Sequence, residues 1–290
     1  MTNLKFLVLL LYFAANASAQ NFRPNLGPDL PTITVSCGDI TVLLRRETQW
    51  TPGRFDFRGT PMTTEHSAYG TVFRFPEVGF IGTGHLENEP EDLQSLSFFL
   101  DGKPLPEPQA TLTGQSFRFF RESRVRGFRL TNVIEIKANR LYETATITAD
   151  ADTPLDLVYH FMHAWTPTMS ELLAGNDGHA DDDILQPLLD DQNADRSFYI
   201  NRAVDWVAVY EPDSQQFAVS RLLEAPEATE NSSKVWNCVG TYRKYYLTAF
   251  HHQSVPKGFS GTWKMVTAFG RANRDDWQSA ARDLAKRTTM

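Results

Sequence analysis

Residues 241–259, TYRKYYLTAFHHQSVPKGF, concentrate side chains that can carry out chemistry. Their aromatic and β-branched content predicts a β-strand, in which successive side chains point to opposite faces. One face then carries Tyr242, Lys244, Tyr246, Thr248, Phe250 and His252, and the other carries Arg243, Tyr245, Leu247, Ala249 and His251. A strand that only closed a core would alternate apolar and polar side chains. This one favours a groove for a polar, anionic ligand, although amphipathic side chains reaching water on an ordinary sheet would leave the same pattern.

Two histidines outside this segment have surroundings that suit catalysis or sugar binding. His85 lies in GFIGTGHLENE, where glycines permit a tight turn and Glu87 would share its side of an extended chain. His163 lies in DLVYHFMHAW and, on a regular strand, would share a face with Trp165 and oppose His160. A surface turn explains His85 equally well. A histidine among aromatic rings is typical of a sugar platform, and also of a core.

Metal ligation has little support in the sequence. The His-x-x-His spacing at 160 and 163 would share a face only on a helix, and no HExxH motif or Cys/His cluster is present. We therefore predict no cofactor and no metal at the site. The acidic segment 177–195 offers oxygen ligands for calcium but lacks the EF-hand spacing, and a solvated lid or surface loop is the alternative interpretation.

The charge of the chain limits its partners. It has 290 residues and a formal net charge of −7. A nucleic-acid-binding domain would show a clustered basic surface, whereas the cations here are scattered apart from an arginine-rich run at residues 118–129. We predict no nucleic-acid partner. An anionic ligand could still meet a locally positive groove on a negative protein.

The N-terminus has the pattern of a secretory signal peptide, residues 1–19. Lys5 is the charged region, residues 6–15 are the apolar region, and Ala17-Ser18-Ala19 is the cleavage site. The apolar run is too short to span a bilayer. We predict a secreted or periplasmic protein without a membrane anchor after cleavage, with residues 20–290 forming a single β-sandwich domain.

The sequence contains two cysteines, Cys37 and Cys238. Export permits a disulfide between them, and such a bridge would tie the tyrosine-rich strand to the N-terminal region. We predict this bridge, with two buried thiols as the alternative.

The remaining sequence is dominated by short strand-like runs separated by turn signals, such as Asp101-Gly102 after residues 96–100. Many short strands at regular spacing predict an all-β, antiparallel sandwich. The C-terminus differs: Asn273 can cap a helix whose apolar stripe is Trp277, Ala281 and Leu284.

Three segments carry a resemblance to a known family. Residues 146–155 lead through Tyr159 to His163, His85 lies in the glycine-rich segment, and residues 54–59 read Arg-Phe-Asp-Phe-Arg-Gly. The chain resembles the galactose-mutarotase-like superfamily, which includes aldose 1-epimerases and similar polysaccharide lyases. The resemblance implies an antiparallel β-supersandwich with one C-terminal helix and a polysaccharide or oligosaccharide substrate.

One departure from the epimerases favours the lyases. The resemblance implies a late glutamate as the epimerase base, but no glutamate follows Glu230. A lyase would instead neutralise a uronate carboxylate with a cation, remove the C5 proton with His or Tyr, and protonate the leaving oxygen. The residues that we assign to catalysis are His163, Tyr246, Tyr242 and His85. Those assigned to substrate binding are Arg54, Arg243, Lys244, Trp165 and His252. Because neighbours on one strand face opposite ways, they cannot all serve one site.

Two alternatives to a uronate lyase remain. An epimerase or mutarotase needs a carboxylate near its histidines. A non-catalytic carbohydrate-binding protein would keep the fold and bind glycan without turnover.

Overall fold

Most of the fold consists of strands in which apolar and polar side chains alternate. The computed structural model describes residues 27–65, 69–85, 87–177, 184–187 and 198–288. The predicted signal peptide lies outside the described residues, as does most of the acidic segment 177–195. In chain order, the first strands are β1 (Thr32–Cys37), β2 (Ile40–Arg45), β3 (Thr51–Phe57), β4 (Thr60–Pro61), β5 (Tyr69–Phe75), β6 (Gly79–Gly82), β7 (Asp92–Leu100), β8 (Lys103–Pro104), β9 (Thr111–Gly114), β10 (Ser116–Val125), β11 (Phe128–Lys137) and β12 (Arg140–Ala149). The later elements are β13 (Thr153–Leu155), β14 (Leu157–Trp165), β15 (Glu171–Gly175), β16 (Ile184–Pro187), β17 (Phe198–Arg202), β18 (Trp206–Glu211), β19 (Gln216–Glu224), β20 (Ser232–Cys238), β21 (Tyr242–Ala249), β22 (Gln253–Val255), β23 (Ser260–Arg271) and α1 (Trp277–Arg287).

These strands form two large sheets and two smaller ones. The ten-stranded sheet has the order β16-β15-β18-β19-β23-β12-β11-β10-β7-β8, and the six-stranded sheet has the order β17-β20-β21-β14-β5-β6. A five-stranded sheet, β4-β3-β2-β1-β9, and the pair β13-β22 complete the description. Pairing is antiparallel except between β1 and β9, which run parallel. The all-β class and the antiparallel sandwich are confirmed.

The inner faces of the two large sheets meet in the main core. Phe73 of β5 stacks on Phe128 of β11, with ring centroids 4.6 Å apart, and His160 of β14 stacks on Trp263 of β23 at 4.3 Å. These contacts join the sheets through large apolar surfaces, which are the main source of folding free energy. The opposite face of the six-stranded sheet is therefore turned away from this core.

Helix α1 covers part of the outer face of the ten-stranded sheet. Trp277 is fully buried and stacks on Tyr210 at 5.0 Å, and Ala281 is buried beside it. The Asn273 side chain accepts hydrogen bonds from the backbone N–H groups of Asp275 and Asp276 at 3.0 Å. The predicted terminal helix is confirmed, with Trp277 and Ala281 buried and Leu284 partly buried. Asn273 caps the turn before the helix, whose own N-cap residue is Asp276. No helix in the described ranges is long and apolar enough to span a bilayer.

Two local expectations have different outcomes. The Asp101-Gly102 turn joins β7 to β8, with φ of 50° and 75°, the left-handed values that a two-residue hairpin turn of this type requires. The sequence of residues 184–189 predicts one turn of helix within the acidic segment, but Ile184–Pro187 is a strand paired with β15. Pairing with a neighbouring strand satisfies the backbone of so short a segment better than an isolated turn does.

Candidate functional site

The outer face of the six-stranded sheet gathers a group of aromatic and ionisable side chains. Period-two alternation places the even-numbered residues of β20 and β21 on this face, because the odd-numbered residues Val235, Tyr245 and Leu247 are buried in the main core. We call this group the outer-face cluster; it comprises His85, Tyr159, Trp236, Tyr242, Lys244 and Tyr246.

Lys244 occupies the centre of the outer-face cluster. Its Nζ lies 5.0 Å from the ring centroid of Tyr159, 4.9 Å from that of Tyr246 and 5.9 Å from that of Trp236. Cation–π attraction holds an ammonium group in such surroundings. Across the described ranges, no hydrogen-bond acceptor or carboxylate pairs with this ammonium. Burial lowers the pKa of Lys244, while the Cys238 and Glu87 side chains oppose that shift. The position is suited to a ligand that brings its own negative charge.

His85 borders the same cluster, in the turn that follows β6. Its ring centroid lies 6.2 Å from that of Tyr159, and its Nδ1 lies 2.5 Å from Glu87 Oε2. The pKa of His85 is lowered below 6.5, mainly by burial; the Glu87 carboxylate raises it and the positive Lys244 lowers it. A neutral imidazole is thereby favoured, and neutral imidazole is the form that accepts a proton.

Tyr246 complements His85 as a proton donor. Burial raises the pKa of Tyr246 to about 12, so its phenol stays protonated at neutral pH. Its ring lies 5.2 Å from that of Tyr159. The outer-face cluster therefore combines a neutral base, a protonated phenol and a lysine that makes no ion pair within the described residues, which is the set required for acid–base chemistry on an anionic substrate.

His163 lies elsewhere, contrary to its predicted role beside the tyrosines. Its Nε2 is 2.8 Å from Glu143 Oε2 between the two large sheets, where the imidazole is inaccessible to solvent. The cause is a β-bulge in β14: Phe161 has φ of 55°, and the register with β21 shifts between His160 and His163. The extra residue turns both imidazoles to the inner face, so the expectation from strand parity that they oppose each other is wrong.

Arg243 and Trp165 also face the interior. Arg243 is 3% exposed and donates hydrogen bonds to Asn237 Oδ1 and the Pro167 carbonyl. Trp165 is 2% exposed and packs edge to face with His163 at 5.2 Å. The structure does not bring either residue to the outer-face cluster, because both belong to the alternate set of side chains that the sheet turns inward.

Two further predicted binding residues belong to other surfaces. Arg54 lies on β3 of the five-stranded sheet, where its guanidinium pairs with Asp56 at 2.9 Å and Glu65 at 3.3 Å. His252 follows β21 in a turn, with its side chain 82% exposed and its Nδ1 3.5 Å from Asp156. Both residues therefore lie on surfaces other than the outer-face cluster.

The predicted disulfide between Cys37 and Cys238 is not formed. Cys37 points into the main core from β1 of the five-stranded sheet, and burial raises its pKa to about 11, with Asp101 adding to the shift. Cys238 ends β20 on the outer face of the six-stranded sheet, directly opposite Tyr242. Side chains that leave two different sheets in these directions do not meet the geometry of a disulfide.

Within the described residues, no group of three or more histidine, cysteine or acidic side chains could hold a metal ion. The calcium alternative concerned residues 177–195, most of which lie outside the described part. Its first residue, Asp177, pairs with Arg221.

Sequence reasoning missed two members of the outer-face cluster, Tyr159 and Trp236. On a regular strand Tyr159 would share the face of His163, and the bulge at Phe161 separates the two. Trp236 has no clear sequence signal, because of the three residues that β20 buries, Ser233, Val235 and Asn237, only Val235 is apolar. The pairing of β20 with β21 could not be read from the sequence.

The second inward histidine, His160, makes stability depend on pH. His160 is fully buried, and its Nδ1 forms a hydrogen bond with Thr71 Oγ1 at 3.0 Å. Burial lowers the pKa of His160 to about 3. In the unfolded chain the pKa of His160 is near 6.5, so its imidazole binds a proton more readily there than in the folded protein. Stability is therefore fully present above pH 6.5 and falls as pH drops towards 3, by up to about 1.4 kcal/mol per pH unit.

We expect His160→Gln to reduce the slope of unfolding free energy against pH over that window, measured by urea unfolding at a series of pH values. A slope that equals the wild-type slope, or an NMR titration that places the His160 pKa near 6.5, would contradict this assignment.

Comparisons with known proteins agree with the architecture. No protein-family model and no curated protein matches the sequence significantly. Among solved structures, an α-galactosidase from Geobacillus stearothermophilus matches with a TM-score of 0.50 and 10% identity, covering 85% of this chain and 41% of that one. A putative aldose 1-epimerase from Escherichia coli K12 matches over 83% of this chain and 99% of its own, at 10% identity and a TM-score of 0.49. A heparan sulfate lyase from Pedobacter heparinus matches over 81% and 34%, at 6% identity and a TM-score of 0.45. At these identities the similarity concerns the fold alone. The chain is thus similar in fold to solved structures described as aldose 1-epimerase and galactose-mutarotase-like proteins.

Proposed function

We propose that this protein is an exported polysaccharide lyase that cleaves a uronate-containing glycan by β-elimination at the outer-face cluster. The observation that carries the proposal is Lys244, an ammonium held between aromatic rings with no anion paired to it in the described part of the chain. A sugar carboxylate would supply the missing charge. The names of the structural neighbours, which include a lyase acting on heparan sulfate, fit a carbohydrate substrate.

The residues of the cluster would divide the reaction between them. Lys244 pairs with the carboxylate and stabilises the charge that develops when the C5 proton leaves. His85 accepts that proton, the C4–O bond breaks as the C4=C5 double bond forms, and Tyr246 or Tyr242 protonates the departing oxygen. Tyr159 and Trp236 offer ring faces on which the apolar side of a sugar can pack.

The test of this proposal is a panel of uronate polysaccharides, including pectate, alginate and glycosaminoglycans. We expect ultraviolet absorbance to rise with at least one of them, because elimination conjugates the new double bond with the carboxylate. The carboxyl-reduced form of the same glycan should give no product. If no member of the panel gives an unsaturated product, the lyase proposal is rejected.

A mutarotase or epimerase is the second candidate, and one contact favours it. Glu87 lies 2.5 Å from His85, so the cluster does contain a carboxylate beside a histidine, although no glutamate follows residue 230. Polarimetry on free aldoses and uronic acids distinguishes this reaction, because it changes optical rotation without forming a double bond. Glycan binding without either signal would instead indicate a carbohydrate-binding protein.

A further inference from the structure

A second lysine lies on the same face of the six-stranded sheet, one strand farther from Tyr159. In the pairing of β20 with β21, Lys234 lies opposite Tyr246 and Trp236 lies opposite Lys244. Lys234 and Trp236 are both on the outer face, since they alternate with the buried Ser233 and Val235. The two lysines are diagonal neighbours on the sheet, and Trp236 lies beside both.

The aromatic surface continues in the direction of Lys234. Phe198 on β17 pairs with Trp236, and their ring centroids lie 6.4 Å apart. Phe198 is 43% exposed, and among the described residues it is the only large hydrophobic side chain that is this open to solvent. The Nζ of Lys234 lies 5.5 Å from the Phe198 ring centroid. An exposed aromatic ring beside a tryptophan and a lysine is a surface on which a ligand can pack.

Among the residues that the structure describes, Lys234 also lacks an ion-pair partner. Its ammonium donates to Asn201 Oδ1, which is a neutral acceptor, and no acidic side chain pairs with it in the described ranges. The chain as a whole carries a net charge of −7. Two lysines that make no ion pair within the described ranges, on one face of such a protein, form a local positive strip that attracts anions.

We infer that Lys234, Phe198 and Trp236 form a second subsite on this face, and that the ligand is an acidic oligosaccharide long enough to place one carboxylate at Lys244 and another at Lys234. This inference rests on the proposed function, because it extends the same surface. Lys234 and Lys244 are diagonal neighbours on β20 and β21, positions that are about 7–8 Å apart. The Lys234 ammonium lies near Phe198 on β17 and the Lys244 ammonium near Tyr159 on β14, on opposite sides of the β20–β21 pair. A single sugar acid cannot reach both, so affinity should depend on chain length.

Titration calorimetry with galacturonate, its oligomers of increasing length, and the corresponding oligomers of an alginate or glycosaminoglycan tests the inference. We expect affinity to rise with length in the wild type. In Lys234→Met the ratio of the affinity for a long oligomer to that for the monomer should fall about tenfold, the usual effect of one lost charge-assisted contact. Phe198→Ala should lower the same affinity ratio. Lys234→Arg, which keeps the positive charge, and Lys257→Met, a change at an exposed lysine elsewhere, should both give the wild-type ratio.

The outcomes separate this inference from the proposed function. If long oligomers bind and Lys244→Met removes their binding, but Lys234→Met keeps the wild-type ratio, the second subsite is rejected and the proposed site stands. If a neutral oligosaccharide gains as much affinity with length, charge at Lys234 is not the cause and the inference is also rejected. If no acidic saccharide of any length binds, the proposed function falls together with the inference.

Discussion

Replacing His85 with glutamine is expected to lower kcat on the responsive substrate by about 10²–10⁴-fold, the usual contribution of a general base. Glutamine keeps a hydrogen-bonding group of similar size at the edge of the outer-face cluster but cannot take up a proton. The measurement is the initial rate of product formation, by absorbance for elimination or by polarimetry for mutarotation.

The matched control for this experiment is His252→Gln. His252 carries the same side chain a few residues beyond Tyr246, but it is 82% exposed and belongs to a turn. We expect the His252→Gln variant to form product at the wild-type initial rate. Equal losses in the two variants, or a His85→Gln enzyme as active as the wild type, would remove His85 from the mechanism.

The pH profile adds an independent readout for His85. The imidazole must be neutral to act as a base, and burial lowers its pKa below 6.5. The acidic limb of kcat/KM should therefore lie below pH 6.5. Because the Glu87 carboxylate raises the pKa of His85, Glu87→Gln should move that limb to still lower pH, and a movement towards higher pH would contradict the assignment.

Replacing Arg121 with methionine is expected to reduce the free energy of unfolding by about 3–5 kcal/mol, measured by urea unfolding. Arg121 and Glu91 form an ion pair between the sheets with side-chain exposures of 1% and 0%. Arg121 Nη1 donates to Glu91 Oε2 over 2.7 Å and to Thr83 Oγ1 over 3.1 Å. Without the guanidinium, the Glu91 carboxylate is left buried without its charge partner.

Arg124→Met is the matched control for Arg121, on the same strand three residues later. Its guanidinium pairs with Asp150 at 3.1 Å, and both side chains are 40–50% exposed. An exposed pair of this kind contributes less than about 1 kcal/mol. The double variant Arg121→Met/Glu91→Leu should regain much of the lost free energy of unfolding, because it also removes the Glu91 carboxylate that Arg121→Met leaves buried and unpaired. Equal stabilities of Arg121→Met and Arg124→Met would show that the buried pair is not a stabilising element.

Several features of the fold follow from local pattern, and the sequence predicts them. The alternation in β10 to β12 indicates antiparallel strands, and Asp101-Gly102 supplies the left-handed φ values of a hairpin turn. Asn273 marks the turn before α1, and Trp277 is the first residue of the helix. These signals act over a few residues, so they remain readable without knowledge of the tertiary contacts.

The composition of the candidate site was predictable in part. Tyr242, Lys244 and Tyr246 share one face because side chains alternate along a strand, and His85 joins them as predicted for the site. His163 and Arg243 do not. The backbone twist at Phe161 that turns His163 inward has no marker in the residue types around it.

By itself, the sequence determined which side chains stand together on the regular strands, β21 among them, because extended backbone repeats every two residues. It did not do so for β14, where the bulge at Phe161 breaks that repeat. Only the tertiary structure decided which of the two faces is sealed against the opposite sheet and which is open, because that depends on apolar surface supplied by strands more than a hundred residues away. It also decided that Trp236 lies beside Lys244 and that Cys37 and Cys238 leave different sheets, since strand register and sheet membership arise from long-range pairing.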